Sequence, residues 1–179
     1  AAQRLRWLQN PAAGPFYGYY YEQLVKHPIV ITNPRGIYFD HISHHIMMFV
    51  LALSRGLPWY VDAQRDRRWD SDARRSPYID LMEATALING VGGIGRETAR
   101  LCHEFGMTVI GTRRAMAGPH PEAEELGVEM VELTQLLERS DFLSLQLPLT
   151  RETYHLFDRE MLRSMKWGSF LINTSRGAI

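Results

Sequence analysis

A chain of 179 residues with 45% hydrophobic and 22% charged residues has globular composition and room for one domain, or for one domain and part of another. Its 20 basic and 20 acidic side chains cancel, which excludes the bulk charge of a nucleic-acid or membrane-surface binder and favours a small neutral or anionic ligand. The single cysteine, Cys102, excludes an internal disulfide framework and a cysteine-based zinc site, in keeping with a cytoplasmic protein, and no apolar run approaches membrane-spanning length. The opening Ala1-Ala2-Gln3-Arg4-Leu5-Arg6-Trp7 lacks the plan of a secretory signal. There is no initiating methionine, and the last residues follow directly on an apolar run, so both ends read as cut.

Near the start, Asn10-Pro11-Ala12-Ala13-Gly14 leads into the aromatic cluster Phe16-Tyr17-Gly18-Tyr19-Tyr20-Tyr21, which is read as local packing in preference to ligand stacking. Residues 28–32 are β-branched and precede the turn Asn33-Pro34-Arg35-Gly36, which predicts a strand and a domain crossing, with residues 1–34 on one side and 35–179 on the other. Residues 40–56 carry Asp40 as cap, an apolar body of Ile42, Ile46, Met47, Phe49, Val50, Leu51 and Leu53, and Gly56 then Pro58 as stop signals. This predicts a helix whose apolar residues cover more than one stripe, so it should lie between two bodies, either domains or subunits. Residues 62–75 alternate Arg and Asp around Trp69 without an apolar period, which predicts a surface loop or frayed helix; the interleaved acids argue against a nucleic-acid patch.

From Thr85 onward short apolar runs alternate with helical patterns. Strands are predicted at 85–88, 108–110, 128–131, 142–147 and 169–173. Helices fall between them: one with Ile94, Thr98, Leu101, Cys102 and Phe105 on a face ending at Gly106, then 133–139 and 158–165. Such alternation predicts an α/β fold with a doubly wound parallel sheet of the Rossmann type. Cys102 falls on the apolar face of its helix and is read as core, and Glu124 and Glu125 are placed in a Pro-bounded loop without chemistry.

Gly90-x-Gly92-x-x-Gly95 sits between a predicted strand and its helix, where a dinucleotide site needs it. The first glycine permits the turn, the second lets backbone approach a pyrophosphate, and the third packs helix on sheet while helix-terminal N–H groups face the anion. Asn89, polar at a strand end where an apolar residue is expected, has no explanation at this level. About twenty residues on, where an acid would hold the ribose 2′-hydroxyl of NAD, the chain has Thr112, Arg113 and Arg114. Two guanidiniums and a hydroxyl suit a 2′-phosphate, which favours NADP; NAD with a solvated basic loop stays open.

Several segments in order resemble the D-isomer-specific 2-hydroxyacid dehydrogenase family. They are Thr32-Asn33-Pro34-Arg35-Gly36 with the helix ending Leu51-Ala52-Leu53-Ser54-Arg55-Gly56, Gly92-Gly93-Ile94-Gly95 with Phe105-Gly106-Met107, Ser140-Asp141-Phe142, Leu147-Pro148-Leu149-Thr150, Thr153, Met165-Lys166, and Ile172-Asn173-Thr174-Ser175-Arg176-Gly177. The resemblance implies that residues 1–34 are a remnant of a substrate domain and 35–179 a truncated NAD(P)-binding domain. It implies that Gly93 and Ile94 hold the pyrophosphate, that Leu147 and Pro148 lie beside the cofactor, and that Thr174, Ser175 and Arg176 line the nicotinamide side.

Arg176 corresponds to the family's catalytic arginine, a fixed charged fork that can hold a substrate carboxylate and polarise the carbonyl receiving hydride. The implied activity is hydride transfer between NADP(H) or NAD(H) and a small 2-oxo or 2-hydroxy acid. Relatives add a histidine and an acid from later segments, so this stretch alone is expected to be inactive. A homodimer through helix 40–56 is implied, with His44 standing where relatives carry an acid. His41 and His45 share a helix face at metal-ligand spacing, but with no third ligand no metal site is assigned. The alternative function is a nucleotide-sensing regulatory module on the same fold.

Overall fold

The computed structural model describes residues 4–12, 22–69, 78–114 and 116–179; the aromatic cluster at 16–21 and part of the Asp/Arg stretch lie outside them. The chain divides into two compact units, Ala1–Phe39 and Asp40–Ile179. In the first, β1 (Trp7–Gln9) runs parallel to β2 (Val30–Thr32), with α1 (Glu22–Val25) between them in sequence. The Trp7 indole donates to Thr32 Oγ1 at 2.8 Å, and the Asn10 amide donates to the Thr32 carbonyl at 2.8 Å. The strand expected at 28–32 is confined to Val30–Thr32, because Pro28 has no N–H to offer a ladder.

All but the first residue of α2 (Phe39–Ser54) falls in the second unit; the helix begins one residue earlier and ends two residues earlier than the predicted 40–56. Asp40 is therefore inside the first turn, where its charge suits the helix dipole; its carboxylate accepts the His41 amide and the His41 ring at 2.8 Å each. Gly56 stops α2 in a left-handed conformation, φ +61°, and Pro58 opens a new helix, α3 (Leu57–Arg65). Its last residues, 62–65, are the helical start of the stretch expected from residue 62 as a surface loop or frayed helix, and its first part was not expected. Its only buried residue is Ala63, so it carries little apolar periodicity to read.

Five parallel strands follow: β3 (Thr85–Asn89), β4 (Thr108–Thr112), β5 (Glu129–Met130), β6 (Phe142–Leu145) and β7 (Phe170–Asn173). Their order is β5-β4-β3-β6-β7, so the sheet grows outward from β3 in both directions. This is the doubly wound arrangement predicted from the alternation, and the strand order reverses beside β3. Helices α4 (Gly93–Glu104), α5 (Pro121–Glu124), α6 (Leu133–Leu137) and α7 (Arg159–Arg163) make the connections. The single turn of α5 replaces the loop expected around Glu124; Ala123 anchors it in the core.

Successive residues of each strand face opposite layers. Ala86, Ile88, Val109 and Phe142 pack against Ile46, Met47 and Val50 of α2 and Ala99 and Cys102 of α4. Leu87, Ile110, Leu143 and Leu145 face the other way, onto Leu137 of α6 and Met161 and Met165 at α7. Cys102 is core as expected, and burial pushes its thiol up to about 12. Asp141 ties the strands' entry ends together: one oxygen accepts the Thr85 amide at 2.9 Å and the other the Lys166 ammonium at 2.6 Å. No helix among the described residues is long and apolar enough to cross a membrane.

Candidate functional site

All five strands being parallel, their carboxyl ends share one edge of the sheet, and the predicted residues lie along it. β3 ends at Asn89, and the chain turns sharply at Gly90, φ +107°, before α4 begins. A Cβ at Gly90 would stand 2.9 Å from the Gln146 carbonyl oxygen. One at Gly95 would collide with the Gly90 carbonyl, so the third glycine lets the first turn of α4 lie on the strand end. Gly92, by contrast, faces open space, with nothing within 4 Å of its would-be Cβ. It precedes the helix without a side-chain cap, and the amides of Gly93, Ile94 and Gly95 have no intrahelical acceptor. This is a cradle whose open side admits an anion at the positive end of a helix.

β4 lies against β3 with Thr112 opposite Asn89. Thr112 is buried, and Arg113 and Arg114 emerge exposed at the rim. A cavity of about 340 Å³ opens there. Thr112, Arg113, Arg114, Leu147 and Pro148, all singled out from sequence, line it together; the glycines themselves border it only through Asn89. The segment after β6 is held by Thr153, whose hydroxyl donates to the Pro148 carbonyl at 2.6 Å and accepts the Thr150 amide at 2.8 Å.

Glu132 and Glu152 also line the cavity and were not anticipated. The Thr150 hydroxyl, then the carboxylate's own backbone amide and the more distant Arg114 and Arg151 charges, hold the Glu152 carboxyl below its usual range. Nothing local in the sequence marks these acids, because only the return of the chain after β6 brings residue 152 near residue 114. Asn89 was visible as an anomaly, and it too lines the cavity.

Arg176 lies beyond β7, two strands from the glycine turn on the same edge. The loop that presents it is tied down at both sides. Ser175 and Thr174 hydroxyls donate to the Leu145 carbonyl at 2.7 and 3.4 Å, the Asn173 side chain donates to the Arg176 carbonyl at 3.0 Å and accepts the Ser175 amide at 2.9 Å. The Arg176 guanidinium, half-buried, donates to the Ser175 carbonyl at 2.8 Å. Thr174 borders a separate cavity of about 550 Å³ with His41, His45 and Phe49 of α2, a juxtaposition the sequence did not suggest. Among the described residues, no three His, Cys, Asp or Glu side chains gather as a metal site.

The residues present fit a dinucleotide: an open glycine cradle for a pyrophosphate, a basic rim, and an apolar-walled cavity between them.

Comparison with known proteins agrees. Residues 47–179 match the model of the D-isomer specific 2-hydroxyacid dehydrogenase NAD binding domain. The chain is 37% identical to a glyoxylate reductase of Thermococcus litoralis over 164 residues, 88% of this chain and 49% of that protein. With the hydroxypyruvate reductase of Thermotoga maritima it shares 33% identity over 149 residues, 83% of this chain and 46% of the relative. Among solved structures, the D-lactate dehydrogenase from Aquifex aeolicus complexed with NAD and lactic acid superposes with a TM-score of 0.86 at 27% identity, covering 98% of this chain and 51% of that one. The chain spans about half the length of the curated relatives it matches.

Proposed function

The chain belongs to the D-isomer specific 2-hydroxyacid dehydrogenase family and carries its NAD binding domain, and from that premise we propose that the protein transfers hydride reversibly between a nicotinamide dinucleotide and a small 2-oxo or 2-hydroxy acid of the glyoxylate, hydroxypyruvate or lactate kind. The bound dinucleotide supplies or accepts the hydride. Gly90, Gly92 and Gly95 shape the turn, the amides of Gly93 and Ile94 hold the pyrophosphate, and Leu147 and Pro148 wall the cofactor. Thr174 and Ser175 flank the nicotinamide. Arg176 holds the acid's carboxylate and draws charge from the carbonyl oxygen as hydride arrives. Residues 1–34 belong to the substrate domain and 35–179 to the cofactor domain in this reading. The observation that carries it is the anchored loop: Arg176 is presented by a segment pinned to β6, on the sheet edge that bears the glycine cradle. No observation favours the regulatory alternative.

The preferred cofactor in this proposal is NADP. Support comes from Arg113 and Arg114, exposed on the rim of the cavity that Thr112 lines, where a forked guanidinium can take a 2′-phosphate. Replacing Arg113 with Asp is expected to lower the ratio of NADPH to NADH affinity by about ten- to a hundredfold, the worth of one or two charge-assisted hydrogen bonds. Fluorescence titration with both cofactors measures it; an unchanged ratio removes the NADP assignment and leaves NAD.

The partner in this proposal is a second copy of the chain, seated on α2. A groove of about 580 Å³ runs along that helix between Met47, Met48, Leu51, Leu57, Leu101 and Phe105. Met48 and Leu57 are about half exposed, at 49% and 51%, an apolar surface that association would cover. The protein is expected to have a dimer's mass by light scattering and the Met48→Glu/Leu51→Glu variant a monomer's, while a monomeric wild type ends the assignment.

A further inference from the structure

One residue lining the cavity carries a buried polar group with no structural explanation. Asn89 closes β3, is only 3% exposed, and its Nδ2 has no hydrogen-bond partner. Its neighbours in the strand are Leu87 and Ile88, both fully buried, and the position opposite in β6 is Leu145. By the alternation of the strand, its side chain shares the layer of Leu87, Leu143 and Leu145, where an apolar residue would simply extend the cluster. A buried amide donor without a partner weakens a fold, so one kept at such a place calls for a partner that arrives from outside.

The surroundings say which partner. Asn89 lines the cavity of about 340 Å³ together with its register partner Thr112 and with Arg113 and Arg114, at the end of β4 where the adenosine ribose of a dinucleotide lies. It is also the residue directly before Gly90, and its own carbonyl accepts the Gln146 amide at 2.9 Å, which fixes the strand end while leaving the side chain unpartnered. Gln146 offers a useful contrast. Its Oε1 is buried and unpartnered as well, but its amide donates to Ser144 Oγ and the residue does not line this cavity. Among the described residues, only Asn89 both carries a buried unmet donor and lines this cavity.

We infer that Asn89 is a cofactor-binding residue whose carboxamide hydrogen-bonds the adenosine moiety of the bound dinucleotide. The terminal torsion of an Asn side chain is soft, so the carboxamide can turn to present its N–H or its oxygen while the strand stays fixed. The contact is common to NAD and NADP, because both carry the same adenosine ring system, and it is distinct from the discrimination assigned to Arg113 and Arg114. This inference rests on the dinucleotide reading given above.

The test separates binding from folding. In the full chain, Asn89→Leu substitutes a side chain of similar shape without the unmet donor, and Asn89→Ala covers the case in which the leucine packs badly. The ligand-free melting temperature of Asn89→Leu is expected to equal or exceed the wild type's, while the dissociation constants for NADPH, NADH and ADP each rise about tenfold in both variants. Dissociation constants unchanged in a folded variant overturn the assignment while leaving the dinucleotide reading intact. Loss confined to NADPH and NADH, with ADP bound as before, overturns it too, because the contact would then lie outside the adenosine half. A wild-type chain that binds none of the three overturns both.

Discussion

Replacing Arg176 with leucine in the whole protein is expected to lower kcat/KM for a 2-oxo acid by about a thousandfold, through a fall in kcat as well as a rise in KM. The size follows from what one side chain is asked to do. A guanidinium that both clamps a carboxylate and sits beside the developing alkoxide acts more strongly on the transition state than on the ground state. The loop should survive the change, since the Ser175 and Thr174 hydroxyls reach the Leu145 carbonyl and the Asn173 side chain reaches the Arg176 backbone, none of which involves the removed group. Arg176→Lys keeps the charge and loses the planar fork, and should fall between wild type and Arg176→Leu. Steady-state kinetics with glyoxylate, hydroxypyruvate and pyruvate decide the matter. Activity of Arg176→Leu within tenfold of wild type on its best substrate would show that the arginine is a structural cap.

The second large effect belongs to Gly95. A Cβ there would collide with the Gly90 carbonyl, a backbone atom that cannot swing aside as a side chain does, and would also press on Ile88. Gly95→Ala must therefore lift α4 off the strand end or deform the turn. A destabilisation of about 3 kcal/mol or more is expected, at the upper end of overpacking costs. Dinucleotide affinity should fall by at least about a hundredfold, because the amides that face the anion move with the helix. Gly92→Ala is the informative companion. Its backbone, φ −97° and ψ −157°, is extended, and nothing lies within 4 Å of the added methyl. It should melt like wild type yet bind the dinucleotide about tenfold more weakly, since the methyl occupies the side from which the pyrophosphate approaches. Thermal melts and titrations on the pair separate packing from recognition. A Gly95→Ala variant that melts and binds like wild type, or a Gly92→Ala variant that binds normally, would refute the division of labour between the two glycines.

The sheet and its cradle are legible in the sequence for one reason: both depend on local pattern. The alternation of strand residues between two layers writes β3, β4 and β6 into short apolar runs, and glycine spacing needs no long-range information. What escapes is whatever depends on distant chain. β5 shrinks to Glu129–Met130 because it pairs along one side with only the end of β4, and Arg139, expected to close α6, leaves that helix to hold Glu129 with two bonds of 2.9 Å. The start of α3 escapes because the helix buries a single alanine. Glu132 and Glu152 reach the cavity only through the return of separate loops. Asn89 lies between these cases: its oddity is plain in one dimension, but its meaning requires the cavity.

The Leu145 carbonyl has one more consequence. It receives the hydroxyls of the arginine loop, and the same backbone continues within two residues into the Leu147 and Pro148 wall of the cavity of about 340 Å³. The two seats assigned under the proposed function thus share a single short segment, held at its far end by the Thr153 hydroxyl on the Pro148 carbonyl. If the proposed function holds, substitutions chosen to reshape cofactor fit at Leu147 or Pro148 are expected to change also how the Arg176 guanidinium meets the acid, because both segments hang on this one strand end.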